Sequence, residues 1–234
     1  MLERWRPQAV LMHRAGVWDG RHAHASFDDW CQAHPGGRCT LWLSSAWLFE
    51  LVGEPGLPLA DDKATLAWAR GVLMHYEGEA AAGWPLASWQ QGAVRGVSAL
   101  RGVALAELRA SASRARVRLQ AVKPWWSLVL PRALQAHPPL RRGPARLLVV
   151  EGHSLTAIDL VDGRLTALAL RRLDALAPAP LQAWTSTEAQ AAAGPTLAVG
   201  YGLALDDTGG VGTLDTLGGA HPAARWLAPQ GWWS

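Results

Sequence analysis

Eight histidines, two cysteines and a dense run of arginines hold most of the chemical potential of this 234-residue chain. The histidines are His13, His22, His24, His34, His75, His137, His153 and His221. His22 and His24 lie two apart, so on a strand they share one face, as metal ligands can. Cys31 and His34 follow closely. A structural zinc site needs four converging ligands, and this spacing does not require convergence. The expectation is exposed histidines on an edge hairpin, with no metal site and no catalytic residue. A two-metal nuclease would need converging carboxylates, and Glu151, Asp159, Asp206 and Asp207 are the candidates. Asp159 falls in mid-strand and no acid-rich helix completes the set, so these read as hairpin and strand-end charges. No Gly-x-Ser-x-Gly, Walker loop, Cys-x-x-Cys or His-Glu-x-x-His motif occurs.

The formal net charge is +3, but it is unevenly spread. Residues 1–100 carry 8 basic and 10 acidic side chains. Residues 101–146 carry 10 basic ones against Glu107 alone. Residues 147–234 carry 4 and 8. A basic block between acidic flanks attracts an anionic partner. Within it Arg109 and Arg116 are two helical turns apart and share a face, which Ser113 keeps polar. Arg114 and Arg118 extend the charge. These four arginines are the expected docking patch for an acidic protein surface. No recognition motif or aromatic-interleaved basic strand points to nucleic acid.

The chain is half hydrophobic and 18% charged, a globular composition rather than a disordered one. No apolar run is long enough to span a membrane, and the N-terminus lacks the apolar stretch of a signal peptide. Cys31 and Cys39 are too few for a disulfide scaffold or a four-thiolate zinc site. A reducing cytoplasmic setting is the expectation. Arg outnumbers Lys 20 to 2, which a GC-rich genome explains without function. Trp outnumbers Phe and Tyr, 14 against 2 and 2. The pairs Trp125-Trp126 and Trp232-Trp233 therefore read as core or rim packing.

Hydrophobic patterning predicts the elements that hold these residues. Ala9 to Trp18 reads as a strand, Asp19-Gly20 as a hairpin turn and Arg21 to Ala25 as the returning strand. Ser26 caps a short helix to His34. Strands follow at Cys39–Leu43 and Trp47–Val52. Asp61 or Asp62 caps a helix to Glu77 with Leu66, Ala69, Leu73 and Tyr76 on its apolar face. Gly83–Gln91 reads as a loop and Ala93–Leu100 as a strand. Val103–Arg116 reads as a helix with Val103, Leu108 and Ala112 inward, and Val117–Val122 as a strand. A Pro- and Gly-rich boundary spans 137–144. Beyond it lie strands at Arg146–Val150, Leu155–Val161 and Arg164–Arg171, with a turn at Asp162-Gly163. A partly helical Leu173–Ala193, a strand at Thr196–Leu205 and a Gly-rich tail complete the chain.

A three-strand meander, a helix and a fourth strand open the ribonuclease-H-like unit, and a looser version occupies the N-terminal half. Four stretches carry a further resemblance: Cys39–Pro58, Asp61–Ala80, Gly102–Pro131 and Ala145–Asp174. In these the chain resembles the cytoplasmic domain of type II secretion system protein L (GspL) and its type IV pilus relative, PilM. The resemblance implies an α/β fold of two ribonuclease-H-like lobes in tandem, a degenerate actin-like ATPase fold, with lobes at 1–136 and 145–234. The membrane-anchored family protein has a transmembrane helix and a periplasmic domain after this region. Neither occurs up to Ser234, so the chain is expected to be a stand-alone variant or a fragment.

Actin-like ATPases hold phosphate on two hairpin loops that carry an Asp and glycines. The corresponding loops here are 13–20 and 151–156. The first strand delivers Met12 and His13 where an acid is needed, whereas the second loop keeps Glu151. If ATP and magnesium bind, the resemblance assigns Gly16, Gly152, Ser154 and Thr156 to them. Otherwise no cofactor is expected. The implied function is that of a non-catalytic scaffold in a type II secretion or type IV pilus machine. Its implied partners are the secretion or pilus ATPase and inner-membrane assembly proteins. The implied location is cytoplasmic, peripheral at the inner membrane. The alternative is an ATP-binding protein with weak ATPase activity.

Overall fold

The computed structural model describes residues 7–54, 56–151, 153–172 and 194–201. The expectations for 173–193 and for the tail from Asp206 lie outside them.

The first sheet forms around β1 (Gln8–His13), whose four inner residues are all buried. A strand covered on both faces reads as a continuous apolar run rather than an alternating one. β1 turns back at Arg14-Ala15 into β2 (Gly16–Trp18), with His13 opposite Gly16 and Leu11 opposite Trp18. The single strand expected over 9–18 is therefore two. β2 turns again at Asp19 into β3 (Ala23–His24). There the Asp19 carboxylate accepts the N–H groups of Arg21 and His22, which fixes an Asx-type turn. Ser26 caps α1 (Phe27–Ala33) by accepting the Asp29 N–H. β4 (Arg38–Leu43) and β8 (Arg118–Pro124) then add in parallel beyond β1. The sheet order is β3-β2-β1-β4-β8.

Between β4 and β8 the chain builds a smaller sheet. A 3₁₀ turn at Ser45–Trp47 leads into β5 (Leu48–Val52), α2 (Asp62–Glu77), β6 (Leu86–Gln91) and β7 (Val94–Leu100). The sheet order is β5-β7-β6. β6 was expected as loop. It is an edge strand whose polar Ser88, Gln90 and Gln91 hide the alternation, and Trp89 lies across Gly96 of β7. A side chain at Gly96 would collide with that ring, which accounts for a glycine in mid-strand. On α2 the buried stripe is Thr65, Ala69 and Leu73, while Tyr76 is exposed. The helix packs on one small sheet, so a narrower stripe suffices than the sequence suggested.

α3 (Leu105–Arg114) precedes β8, and α4 (Trp126–Ala136) follows it. After a 3₁₀ turn at Pro138–Arg141 come β9 (Pro144–Glu151), β10 (Ser154–Val161), β11 (Arg164–Arg172) and β12 (Thr196–Tyr201). Asp162 and Gly163 both have positive φ, as the tight β10–β11 turn requires. This sheet runs β11-β10-β9-β12, with β12 parallel to β9. Its path repeats the first sheet: a meander of three antiparallel strands, then a parallel strand on the far side of the first.

Two hydrophobic clusters hold the layers. Val10, Met12, Cys39 and Leu41 face Phe27, Trp30 and Cys31 of α1 and Leu108 and Ala112 of α3. On the opposite face, Ala9, Leu11 and Trp42 join Trp125, Val129 and Ala133, then Leu147, Val149 and Ile158 of the second sheet. α4 is thus the layer between the sheets, and one core crosses from the first to the second. Trp125 and Trp126 belong to that core, as their composition suggested.

Candidate functional site

Both meanders point their first hairpin at the same place. The ends of β1 and β9, with the start of β5 and the end of β11, line a cleft of about 520 Å³. The first hairpin contributes His13, Arg14 and Ala15. The segment after β4 contributes Ser44, Ser45 and Ala46. The second hairpin contributes Glu151, His153 and Ser154, and Arg101, Arg171 and Arg172 complete the cationic wall.

Glu151 is the acid of this lining. It is buried, and its Oε2 accepts the backbone N–H of Ser45 at 3.1 Å. This bond joins the second sheet to the loop after β4. Burial pushes the Glu151 carboxyl up to about 7, against the hydrogen bonds from Ser45 and Ser44 that lower it. Its other oxygen, Oε1, is buried and has no hydrogen-bond partner among the described residues. The strand end of the first hairpin supplies His13, not an acid. Among the described residues the lining therefore holds one carboxyl, Glu151, beside four guanidinium groups.

The residues expected for phosphate part company. Ser154 lines the cleft. Gly16 lies behind it with φ +138°, under the carbonyl of His24, where any Cβ would clash. The structure explains that glycine by close strand packing. Thr156 is fully buried two residues along β10. Gly152 lies outside the described residues. The nuclease carboxylates do not gather: Asp159 is ion-paired with Arg146, Glu151 faces Ser45, and Asp206 and Asp207 are outside the described residues.

Of the four docking arginines, three gather. Arg109, Arg116 and Arg118 line one shallow hollow with Ser113, Val117 and Leu119, beside the exposed edge strand β8. Arg116 reaches it from a left-handed backbone, φ 58°. Arg114 instead bonds Asp28 of α1 and ties the two outer helices together.

Two clusters escaped the sequence. In the first, Glu50 of β5 accepts hydrogen bonds from Trp89 Nε1 at 3.1 Å, Trp126 Nε1 at 3.0 Å and Ser98 Oγ at 2.8 Å. Burial pushes its carboxyl up to about 7, and the three donors hold it from going higher. It locks the small sheet onto α4. In the second, Asp19, His24 and His34 bring ligand atoms within 4.8 Å of one another. Here the histidine spacing and the Asp19-Gly20 turn were the available signals, but the burial of Asp19 between His24 and His34 was not legible.

No protein-family model and no curated protein matches the chain. Solved structures do. The cytoplasmic domain of EpsL, an inner-membrane component of the type II secretion system of Vibrio cholerae, aligns at TM-score 0.55 and 11% identity over 94% of this chain and 91% of that one. A Bacteroides thetaiotaomicron protein of unknown function with an actin-like ATPase fold aligns at TM-score 0.54 and 7% identity over 88% and 87%. A PilM-PilN type IV pilus biogenesis complex aligns at TM-score 0.48 and 13% identity over 72% and 64%. The repeated strand path and the two fuller likenesses agree: this chain has the actin-like fold, two ribonuclease-H-like units in tandem.

Proposed function

We propose that the chain is a non-catalytic scaffold of a type II secretion or type IV pilus machine, on the cytoplasmic side of the inner membrane. The observation that carries this reading is the cleft. Its single described carboxyl, Glu151, is buried and gives one oxygen to the Ser45 backbone, joining the second sheet to the loop after β4. The end-to-end likeness to a cytoplasmic domain of a secretion component supports the choice of machine. No described helix is long and apolar enough to cross a membrane.

The partner is the secretion or pilus ATPase, or an inner-membrane assembly protein, presenting an acidic surface. Its docking place is the hollow of Arg109, Arg116 and Arg118. All three are exposed, and none makes an ion pair or side-chain hydrogen bond with the described residues. Arg114 belongs to the patch only when its bond to Asp28 opens. Pull-downs with the secretion or pilus ATPase and the inner-membrane assembly proteins of the same organism test the reading. Retention of one of them at micromolar concentration, lost on Arg109→Glu with Arg116→Glu, supports it. Retention of none overturns it.

The second reading is nucleotide binding in the same cleft with weak ATPase activity. The four cleft arginines and Ser154 favour it. Thermal unfolding with ATP, with and without magnesium, separates the two. A ligand at about 100 times its dissociation constant adds about 2.7 kcal/mol. The scaffold reading expects no magnesium-dependent shift.

A further inference from the structure

We propose that Asp19, His24 and His34 form a binding site for a divalent transition-metal ion of the zinc type, at the end of β2 away from the cleft.

The three residues come from the ends of three elements. Asp19 follows β2, His24 ends β3, and His34 caps the C-terminus of α1. Asp19 is anchored first. Its Oδ1 accepts the N–H groups of Arg21 at 2.8 Å and His22 at 2.7 Å. That leaves Oδ2 facing two imidazoles, His24 Nε2 at 3.2 Å and His34 Nε2 at 3.7 Å. The Asp19 side chain is 2% exposed, His24 14% and His34 31%, so the cluster is a half-covered pocket rather than a surface coincidence.

His34 Nδ1 lies 2.9 Å from the carbonyl oxygen of Trp30. A carbonyl only accepts, so Nδ1 carries a proton and Nε2 is the ring atom left for Asp19 Oδ2. In the neutral ring that atom is a lone pair, which a metal ion can share with the carboxylate; in the imidazolium it is an N–H that donates to it. Metal-bound histidines are oriented in just this way, with the second ring nitrogen donating to a carbonyl. Stacking on Trp30 at 4.7 Å holds the ring in place, and His24 meets it edge-on at 5.7 Å.

The distances fit the ion. Ligand bonds of about 2.0–2.2 Å at tetrahedral angles put neighbouring ligand atoms about 3.3 Å apart. Two imidazoles and one carboxylate suit zinc and its neighbours, not magnesium or calcium. Three protein ligands leave one position open. Water can take it, since the pocket is open on the side of His34. Cys31 cannot, because it is buried in the α1 core. A bound ion would tie the β2–β3 turn to the end of α1. That reinforces an edge strand which pairs with its neighbour at only two positions. His24 and His34 are partly buried, where the sequence suggested exposed histidines.

The test is titration of the untagged, chelator-treated full chain with Zn²⁺ and Co²⁺. The expected result is one ion per chain, a tetrahedral-type Co²⁺ visible absorption and a raised unfolding temperature. His24→Gln and Asp19→Asn should each weaken binding about tenfold or more, and His75→Gln should not. Long-range imidazole ¹H–¹⁵N spectra of the wild type give a second measurement that needs no variant. Zn²⁺ should perturb the Nε2 resonances of His24 and His34. Absence of stoichiometric uptake, or unperturbed Nε2 resonances, would overturn the site and assign the cation between His34 and Asp19 to a proton. Neither result bears on the docking reading.

Discussion

Glu50 and Glu151 show how single residues join parts of this molecule. Each is a carboxyl in a seam, and burial raises both to about 7. The folded state therefore keeps their protons at pH values where the unfolded chain, with carboxyls near their ordinary value, has released them. Their contribution to stability is full below about pH 4.3, falls as pH rises towards 7 and is lost above it. The urea midpoint should accordingly decrease between pH 5 and pH 8. Glu50→Gln and Glu151→Gln should each flatten that decrease and be at least as stable as wild type at pH 8. An unchanged slope in both variants would remove these carboxyls from the account. Neither residue was legible as a seam. The donors to Glu50 lie 39, 48 and 76 positions away, and Ser45 lies 106 from Glu151. Glu151 was noticed as a candidate metal carboxylate and as the acid of the second phosphate loop, not as a tie to the Ser45 backbone. Asp19 was noticed only as a turn residue.

At the scale of elements the sequence spoke most clearly where capping and periodicity agreed. Ser26 before Asp28 and Asp29, with Phe27, Trp30 and Cys31 recurring on one face, specified α1. Replacing Ser26 with Ala removes the acceptor for the Asp29 N–H. It should cost about 1 kcal/mol, measured as a lower denaturation midpoint with an unchanged slope. β6 was missed because an edge strand has little apolar surface to declare itself. The small sheet as a whole was missed because its strands flank a helix and read as parts of the first lobe. The arginine face of α3 was legible from spacing. The division within it was not, because Asp28 is 86 positions from Arg114.

For the whole molecule, the tandem repeat of one strand path was read correctly from meander, helix and strand. What the sequence could not show is that α4 gives its core to both sheets. The proline-rich stretch after it looked like a place where the chain comes apart. With Trp125 and Val129 packed between Leu11 and Leu147, the two sheets should unfold together. Calorimetry should give one transition with equal calorimetric and van't Hoff enthalpies. Trp125→Ala should lower stability by about 3–5 kcal/mol without splitting that transition. Two separable transitions would show that the shared core does not couple the lobes.

The scaffold reading rests on a partner arriving at the hollow of Arg109, Arg116 and Arg118. Isothermal titration of the chain with the secretion or pilus ATPase of its own organism measures this directly. The expected result is micromolar or tighter binding that weakens with salt and drops at least about tenfold, roughly 1.4 kcal/mol, in the triple Arg→Glu variant. Equal affinity of wild type and variant, or no heat of binding at micromolar concentration, would contradict it.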